Sequence, residues 1–267
     1  HLEACVNPQA VWAAKRSREW RARNMRNTAM GVDVQKGYLV AIVKQRTKNG
    51  KFATVHVEIA YEGGPKRVGP NPWRRLAQLM GEYDVRIAVI DAAPDFSGSQ
   101  TFATAFRGRV WLASYSGGDS ARLVSWGDAN ESPGKEARTD HSVSIHRTKG
   151  FQWSLGRWKR RANELPPPRD LWQELPVDAS GDVHLSANLA GSWAPACTPA
   201  LYMRHQTQII IEDELKEDRD AQRQGKHKYV AVHVGDDPHF AHANLYADFA
   251  LDRLINGIRR NDGEDDT

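Results

Sequence analysis

The stretch from residue 28 to residue 43 places the strongest constraint on the fold. It contains a single carboxylate at Asp33, a glycine at Gly37 and a continuous apolar run over residues 38–43. The run is too short to span a membrane and is typical of a strand buried on both faces. The stretch therefore predicts two adjacent strands of a hairpin, with Asp33 on the first. A carboxylate among buried neighbours is costly to desolvate and needs a partner, and a metal ion is a common one. The alternative for Asp33 alone is a turn residue.

Length and composition describe a globular protein that is long for one domain and short for two. The chain has 267 residues, of which 40% are hydrophobic and 26% charged, and such a chain can bury a sizeable core. It contains no apolar run of 18 residues and no secretory signal, so we expect no membrane association. It begins at His1 instead of a methionine, which indicates a piece of a longer protein. Cys5 and Cys197 have neither metal-ligand spacing nor a disulfide framework, which favours a reducing compartment.

Basic residues are concentrated in two blocks, although the formal net charge is only +4. Such blocks fit either a polyanionic partner or solvated helix faces. An acidic run, Glu264 to Asp266, lies near the end of the chain. The first block consists of Lys15, Arg16, Arg18, Arg21, Arg23 and Arg26, and the second of Arg157, Lys159, Arg160 and Arg161.

Hydrophobic periodicity predicts alternating strands and helices after the hairpin. The predicted elements are a strand over 55–61, a helix from Pro72, a strand over 85–90, a helix over 97–107 and a strand over 109–115. Asp91 stands at the carboxyl end of the strand over 85–90. Functional groups gather at the carboxyl ends of strands in open α/β sheets, so Asp91 is a candidate site residue. Its alternative role is helix capping or turn formation.

The second half of the chain has weaker periodicity. We predict a loop over 116–140, a strand over 140–147, a helix carrying Phe151, Leu155 and Trp158, an irregular segment over 169–198 with a possible short strand at 182–185, a solvated helix over 212–224 and a final strand over 229–234.

The final strand leads into a helix that is predicted to begin at Pro238, directly after Asp236 and Asp237. An aspartate before a helix is a favoured N-cap, which would make Asp237 the formal cap. Two adjacent acids exceed what capping requires, and they repel each other unless a cation is near. Acidic points thus fall on three separate elements. Clustered carboxylates hold Mg²⁺ or Mn²⁺, and two such ions about 3.5–4 Å apart can promote phosphodiester cleavage.

The ordered motifs carry a family resemblance over residues 28–255. The segment from Gly31 to Asp33, the strand end at Asp91, and the closing acids followed by residues 242–247 resemble the nuclease domain of tailed-bacteriophage large terminases. The resemblance implies an α/β, ribonuclease H-like fold with a mixed central sheet flanked by helices. It implies an endonuclease that cuts concatemeric viral double-stranded DNA during genome packaging in the host cytoplasm. Asp33, Asp91 and Asp237 would be the acidic triad, with Asp236 an additional ligand and two Mg²⁺ or Mn²⁺ ions as cofactors.

Domain boundaries and partners follow from the same resemblance. Residues 1–27 would be the linker from a packaging ATPase domain, residues 28–260 the nuclease domain and residues 261–267 an acidic tail. The sequence contains no GxxxxGK[ST] loop, so we expect no ATP hydrolysis by this chain. The implied partners are double-stranded DNA, the ATPase domain, the portal and the small terminase subunit. The candidate contacts to DNA are the second basic block, Arg157, Lys159, Arg160 and Arg161.

Three alternatives stay open. The chain could be another ribonuclease H-like nuclease, of the junction resolvase or transposase type. It could be a non-catalytic DNA-binding module whose acids are structural. It could also be an unrelated α/β domain whose aspartates cap strand ends.

Overall fold

The computed structural model describes residues 3–4, 27–47, 49–61, 71–117, 121–127, 141–164, 182–184, 193–195, 199–215, 227–235 and 237–257. The helices are α1 (Pro72–Glu82), α2 (Phe96–Ala105), α3 (Arg147–Lys159), α4 (Pro199–Thr207) and α5 (His239–Asn256). The strands are β1 (Glu3–Ala4), β2 (Thr28–Gln35), β3 (Tyr38–Arg46), β4 (Phe52–Tyr61), β5 (Ile87–Asp91), β6 (Val110–Ser116), β7 (Val124–Trp126), β8 (Ser142–His146), β9 (Asn163–Glu164), β10 (Asp182–His184), β11 (Trp193–Pro195), β12 (Ile209–Leu215) and β13 (His227–His233). None of these helices is long and apolar enough to cross a membrane.

The main sheet has eight strands in the order β7-β8-β6-β5-β2-β3-β4-β9. Strands β2, β3 and β4 form an antiparallel meander. Strands β5, β6 and β8 then run parallel to β2 and to one another, while β7 closes one edge in the antiparallel direction. Helices cover both faces. The fold is therefore α/β and ribonuclease H-like, and the predicted meander followed by helix, strand, helix and strand is confirmed.

The predicted hairpin is the centre of this sheet. Strands β2 and β3 pair along their whole length, with Asp33 opposite Val40. The turn between them places Gly37 at a φ of 92°, a conformation that glycine adopts without steric cost. Residues 38–45 are all buried, so the apolar run does form a strand covered on both faces.

Side-chain alternation along β2 divides the core into two layers, because successive residues of a strand point to opposite faces. Met30, Val32 and Val34 belong to the cluster that includes the buried residues of α1 and α2. Ala29 belongs to the cluster formed with α3, α4 and α5. Asp33 is in phase with Ala29, so its carboxylate lies on the α5 side of the sheet.

Helix α5 packs closely on β2 at Gly31. A Cβ atom at this position would overlap the backbone carbonyl oxygen of Ala243 and the backbone amide of Ala247. Glycine on the strand and alanine on the helix thus allow the two backbones to approach each other. This contact fixes where α5 lies along β2.

A buried polar network joins α5 to the sheet and to α3. The Lys44 ammonium lies 2.5 Å from one carboxylate oxygen of Asp248, and both side chains are fully buried. The other oxygen of Asp248 accepts hydrogen bonds from Ser154 at 2.6 Å and from Asn244 at 3.2 Å. The charge of Asp248 is therefore balanced inside the protein.

The structure corrects two predicted elements. Helix α5 begins at His239, and its N-cap is Pro238, whose ψ of 58° is not helical. The prediction that Asp237 is the N-cap is therefore wrong, because the carbonyl of Pro238 accepts the first helical hydrogen bonds.

The predicted solvated helix is also wrong over residues 212–215, which extend strand β12 and pair with β13. Strands β1, β12 and β13 form a second, three-stranded sheet.

The close contact at Gly31 can be tested with an alanine substitution. We expect Gly31→Ala to lower the free energy of unfolding by about 3 kcal/mol or more, because the clash involves backbone atoms that cannot rotate away. Gly81→Ala is the matched control, since a Cβ there meets no atom within 4 Å. It should change stability by no more than about 1 kcal/mol, in the stabilising direction. Urea denaturation measures both, and equal effects would contradict the packing described.

Candidate active site

Asp33 is almost fully buried near the carboxyl end of β2, with 2% of its surface exposed. One carboxylate oxygen, Oδ2, accepts a hydrogen bond from the Gln35 side-chain amide at 2.8 Å. The same oxygen lies 2.9 Å from Nδ1 of His239, in the first turn of α5. The opposite ring nitrogen, Nε2, lies 3.1 Å from the Tyr38 hydroxyl. If Nδ1 carries the proton, His239 donates to Asp33 and accepts from Tyr38, and both contacts are satisfied.

Asp91 is the last residue of β5 and is held by two donors. The backbone N–H of Ala93 donates to Oδ1 at 3.2 Å, and the Tyr246 hydroxyl donates to Oδ2 at 3.0 Å. Burial raises the pKa of the Asp91 carboxyl from 3.8 to about 6, and the negative charge of Asp33 adds to that rise. The two hydrogen bonds act in the opposite direction and do not compensate for burial.

Strand pairing brings Asp33 and Asp91 together. Val32 pairs with Ile90 across the parallel strands β2 and β5, so the two aspartates follow at the next position of each strand. Neighbouring strands lie about 4.8 Å apart, and both side chains are on the α5 side of the sheet. Asp33 and Asp91 therefore lie on neighbouring strands at the same edge of the sheet. Two carboxylates this close repel each other unless one is protonated or a cation lies between them.

A second pair of side chains lies beside the carboxylates. The Tyr115 hydroxyl lies 2.7 Å from Nδ1 of His242. Burial lowers the pKa of His242 to about 4, so the ring is neutral near pH 7 and can accept this hydrogen bond. Burial also raises the pKa of Tyr115, and the charges of Asp33 and Asp91 raise it further. These two side chains are therefore polar and uncharged near pH 7.

Asp237 lies at the start of the segment leading into α5, and its side chain is 62% exposed. Its carboxylate is 3.8 Å from Nδ1 of His233, and its charge acts on His242. Asp236 lies outside the described residues. Within the part of the chain that the structure describes, no three His, Cys, Asp or Glu side chains are grouped closely enough to hold a metal ion. The assignment of a third acid therefore stays a prediction.

The Asp33–Asp91 pair nevertheless suits a divalent cation. Mg²⁺ prefers oxygen ligands and is commonly held by one or two carboxylates together with water and substrate phosphates. The second oxygen of Asp33, Oδ1, takes part in no hydrogen bond within the described residues. The donors of this pair are all oxygens, which favours Mg²⁺ or Mn²⁺ over zinc.

The second basic block lies at the opposite edge of the sheet. Helix α3 begins directly after β8 and runs back for 13 residues, about 20 Å, towards the amino ends of the parallel strands. Arg157 is used within the fold: its guanidinium lies 3.5 Å from the ring centroid of Phe52 and donates to Asn163. Lys159, Arg160 and Arg161 are exposed nearby. These four residues are therefore remote from the carboxylates, and a DNA contact by them stays a prediction.

Comparisons with known proteins found structural likenesses at low sequence identity. Two structures of the nuclease domain of the large terminase subunit of bacterial virus Sf6, one a mutant with manganese, each match 93% of this chain and 98% of their own. Their sequence identities are 13% and 14%, and their TM-scores are 0.46 and 0.47. T. thermophilus RuvC in complex with a Holliday junction substrate matches 32% of this chain and 64% of its own, at 11% identity and a TM-score of 0.25.

No family model and no curated protein matches the sequence. The Sf6 structures belong to the class of nuclease domains that the sequence resembles. The fold assignment itself rests on the order and directions of the strands described above.

Sequence reasoning missed His239 and Tyr246, the two residues of α5 that contact the carboxylates. The sequence analysis placed residues 242–247 in the motif that carries the family resemblance, but it gave the polar side chains of this helix no role. A signal was present, since His239, Ala243 and Tyr246 have the i, i+4, i+7 spacing of one helix face. A face with an alanine between two polar side chains indicates a helix packed closely against polar neighbours.

Because the pKa of Asp91 is raised, the effect of Asp91→Asn on the free energy of unfolding should depend on pH. A folded-state pKa above the unfolded value means that the native state binds the extra proton, so stability falls as pH rises from about 4 to about 6. In EDTA at pH 7.5, Asp91→Asn should raise the free energy of unfolding by on the order of 2 kcal/mol. At pH 3.5 Asp91 of the wild type is protonated, so the wild type and Asp91→Asn both carry a neutral side chain at this position. The difference between their free energies of unfolding should then vanish. Thermal denaturation at the two pH values checks this, and an equal difference at both would contradict it.

Proposed function

We propose that this chain is a metal-dependent endonuclease that hydrolyses phosphodiester bonds of double-stranded DNA. The observation that carries the proposal is the pair Asp33 and Asp91, placed at the ends of adjacent parallel strands without a lysine or arginine partner among the described residues. Such a pair is electrostatically unfavourable in the protein alone. It becomes favourable when a divalent cation and the phosphate of a nucleic acid enter the site.

Asp33 and Asp91 would hold the ion, with Asp237 as the proposed third acid and Asp236 as an assisting ligand to a second ion. A bound Mg²⁺ or Mn²⁺ supplies Lewis-acid stabilisation of the charge that develops on the phosphoryl oxygens. The reaction adds water to phosphorus and breaks one ester P–O bond. A ligand role for Asp237 is supported by its exposed carboxylate, which caps no helix, and by the action of its charge on His242 beside the pair.

The neighbours of the two carboxylates would set their orientation. Gln35 and His239 both bind Oδ2 of Asp33, which leaves Oδ1 for a ligand. Tyr246 and the Ala93 amide hold Asp91. Hydrogen bonds that fix a ligand before the metal arrives lower the entropic cost of binding it. His239 and Tyr246 are therefore positioning residues in this proposal.

The biological setting is proposed from the sequence resemblance. We propose cleavage of concatemeric viral DNA during genome packaging in the host cytoplasm, in a protein that also carries a packaging ATPase domain. The portal and the small terminase subunit would be its partners there. A junction resolvase activity is the alternative to test, using four-way junctions beside linear duplex and RNA–DNA hybrids.

Cleavage itself gives the direct test. We expect the chain to nick supercoiled plasmid with Mn²⁺ or Mg²⁺ and not in EDTA. Asp33→Asn and Asp91→Asn should each reduce the rate at least about 100-fold, because each removes a charge that the cation requires. Asp84→Asn is the matched control, since Asp84 is half exposed, pairs with Arg86 on the surface and precedes β5 at the far edge. Full activity in EDTA, or wild-type activity in either site variant, would contradict the proposal.

The third acid needs a separate comparison. We expect Asp237→Ala to abolish nicking, whereas Asp236→Ala should lower activity and raise the Mn²⁺ concentration required. Since Pro238 is the helix cap, Asp237→Ala should leave the melting temperature in EDTA unchanged to within about 1 °C, as for an exposed surface substitution. Loss of activity with Asp236→Ala and retention with Asp237→Ala would reverse the assignment.

A further inference from the structure

Arg147 lies at the same edge of the sheet as the two carboxylates. It is the first residue of α3 and directly follows β8, which runs parallel to β6. Strand β6 in turn pairs with β5, where Ala113 lies opposite Asp91. Arg147 therefore belongs to the carboxyl edge of the sheet, where the candidate site is.

The guanidinium of Arg147 has no anionic partner among the described residues. Its carbon Cζ lies 5.6 Å from the ring centroid of Tyr115. Its Nε atom is shielded from solvent and has no hydrogen-bond partner. A buried donor without an acceptor is unfavourable, and most such groups in folded proteins are satisfied. The guanidinium thus lies against the Tyr115 ring, and its N–H donors have no acceptor among the described residues.

Electrostatic coupling places this cation next to the site. The charge of Arg147 acts on Tyr115 and on His242. The charges of Asp33 and Asp91 act on Tyr115 as well. The position of Arg147 at the carboxyl edge of the sheet and its contact with the Tyr115 ring place the guanidinium near the carboxylate pair.

We propose that Arg147 binds a phosphate of the DNA backbone beside the cleaved bond. This inference rests on the proposed function and names the residue that would hold the substrate there. Guanidinium donors match phosphate oxygens in geometry and charge. The side chain of Arg147 is half-buried, and its terminal Nη donors make no hydrogen bond within the described residues, so they are the atoms that would bind the phosphate. The carboxylates would then repel the DNA less, because a cation adjacent to them offsets their charge.

Binding measurements on the whole chain test this without any metal. The probe is a fluorescein-labelled 30-base-pair duplex in EDTA, followed by anisotropy between 50 and 200 mM salt. Arg147→Gln should raise Kd about tenfold, as expected for one charge-assisted contact. It should also reduce the slope of log Kd against log salt by about 0.9, the value for one lost phosphate contact. Arg147→Lys should fall between the wild type and Arg147→Gln, because it keeps the charge and loses the Nε donor.

Arg74→Gln is the matched control, since Arg74 is exposed on α1, which packs on the other face of the sheet. It should leave both Kd and the salt slope unchanged. Equal effects of the two glutamine variants, an unchanged Kd for Arg147→Gln, or the absence of duplex binding by the wild type would overturn the inference. A lower melting temperature with an unchanged salt slope would also overturn it, because that result indicates only a stacking role.

Nicking of plasmid by the wild type is scored separately. If binding depends on Arg147 but no nicking occurs with Mn²⁺, the phosphate contact stands and the proposed hydrolysis fails. If nicking occurs and Arg147→Gln binds and cuts normally, the hydrolysis stands and the contact fails.

Discussion

The close approach of α5 to β2 at Gly31 is the constraint on which the site depends. The backbone of Ala243 and Ala247 occupies the space that any side chain at Gly31 would need. Asp33 lies two residues further along the strand, and His239 lies one turn before Ala243 on the helix, so the same contact brings these two side chains within 2.9 Å. Tyr246, next to Ala247, reaches Asp91 on the neighbouring strand. Gly31 therefore determines the position of α5, and through it the hydrogen bonds of His239 with Asp33 and of Tyr246 with Asp91.

The same helix meets two kinds of buried acid, and the comparison separates structure from function. Asp248 is fully buried, but Lys44 neutralises it and Ser154 and Asn244 complete its hydrogen bonds. Asp33 and Asp91 receive hydrogen bonds from uncharged or titratable groups only. An acid that is neutralised inside the fold needs no ligand, because a protein group already balances its charge. A pair of acids without such a partner retains an unfavourable charge, which protonation or a bound cation offsets.

The sequence predicted the parts of the fold that depend on local patterns. The hairpin around Gly37, the strand ending at Asp91 and the helix carrying Phe151 all follow from periodicity and turn chemistry, and the structure contains them. Residues 212–215 of the strand over 209–215 were predicted as part of a helix, because a densely charged segment is typical of a solvated helix. Pairing with β13, which is distant in sequence, makes this segment a strand instead. The spacing of His239, Ala243 and Tyr246 marks one helix face, but no local pattern identifies Asp33 and Asp91 as the residues that this face contacts. These contacts follow from packing of the completed sheet.

The two ends of α3 carry basic residues in different surroundings. The sequence analysis named Arg157, Lys159, Arg160 and Arg161 as candidate DNA contacts and gave Arg147 no role. Arg147 and Arg157 both belong to α3, and a helix of 13 residues separates its two ends by about 20 Å, so they lie at opposite edges of the sheet. At one end Arg157 stacks on Phe52 and bonds within the fold. At the other end Arg147 stacks on Tyr115, with a donor left unpaired. In the proposal, Arg147 differs from Arg157 because it has hydrogen-bond donors without partners beside the carboxylates. The number of charges in a stretch of sequence does not reveal such unused donors.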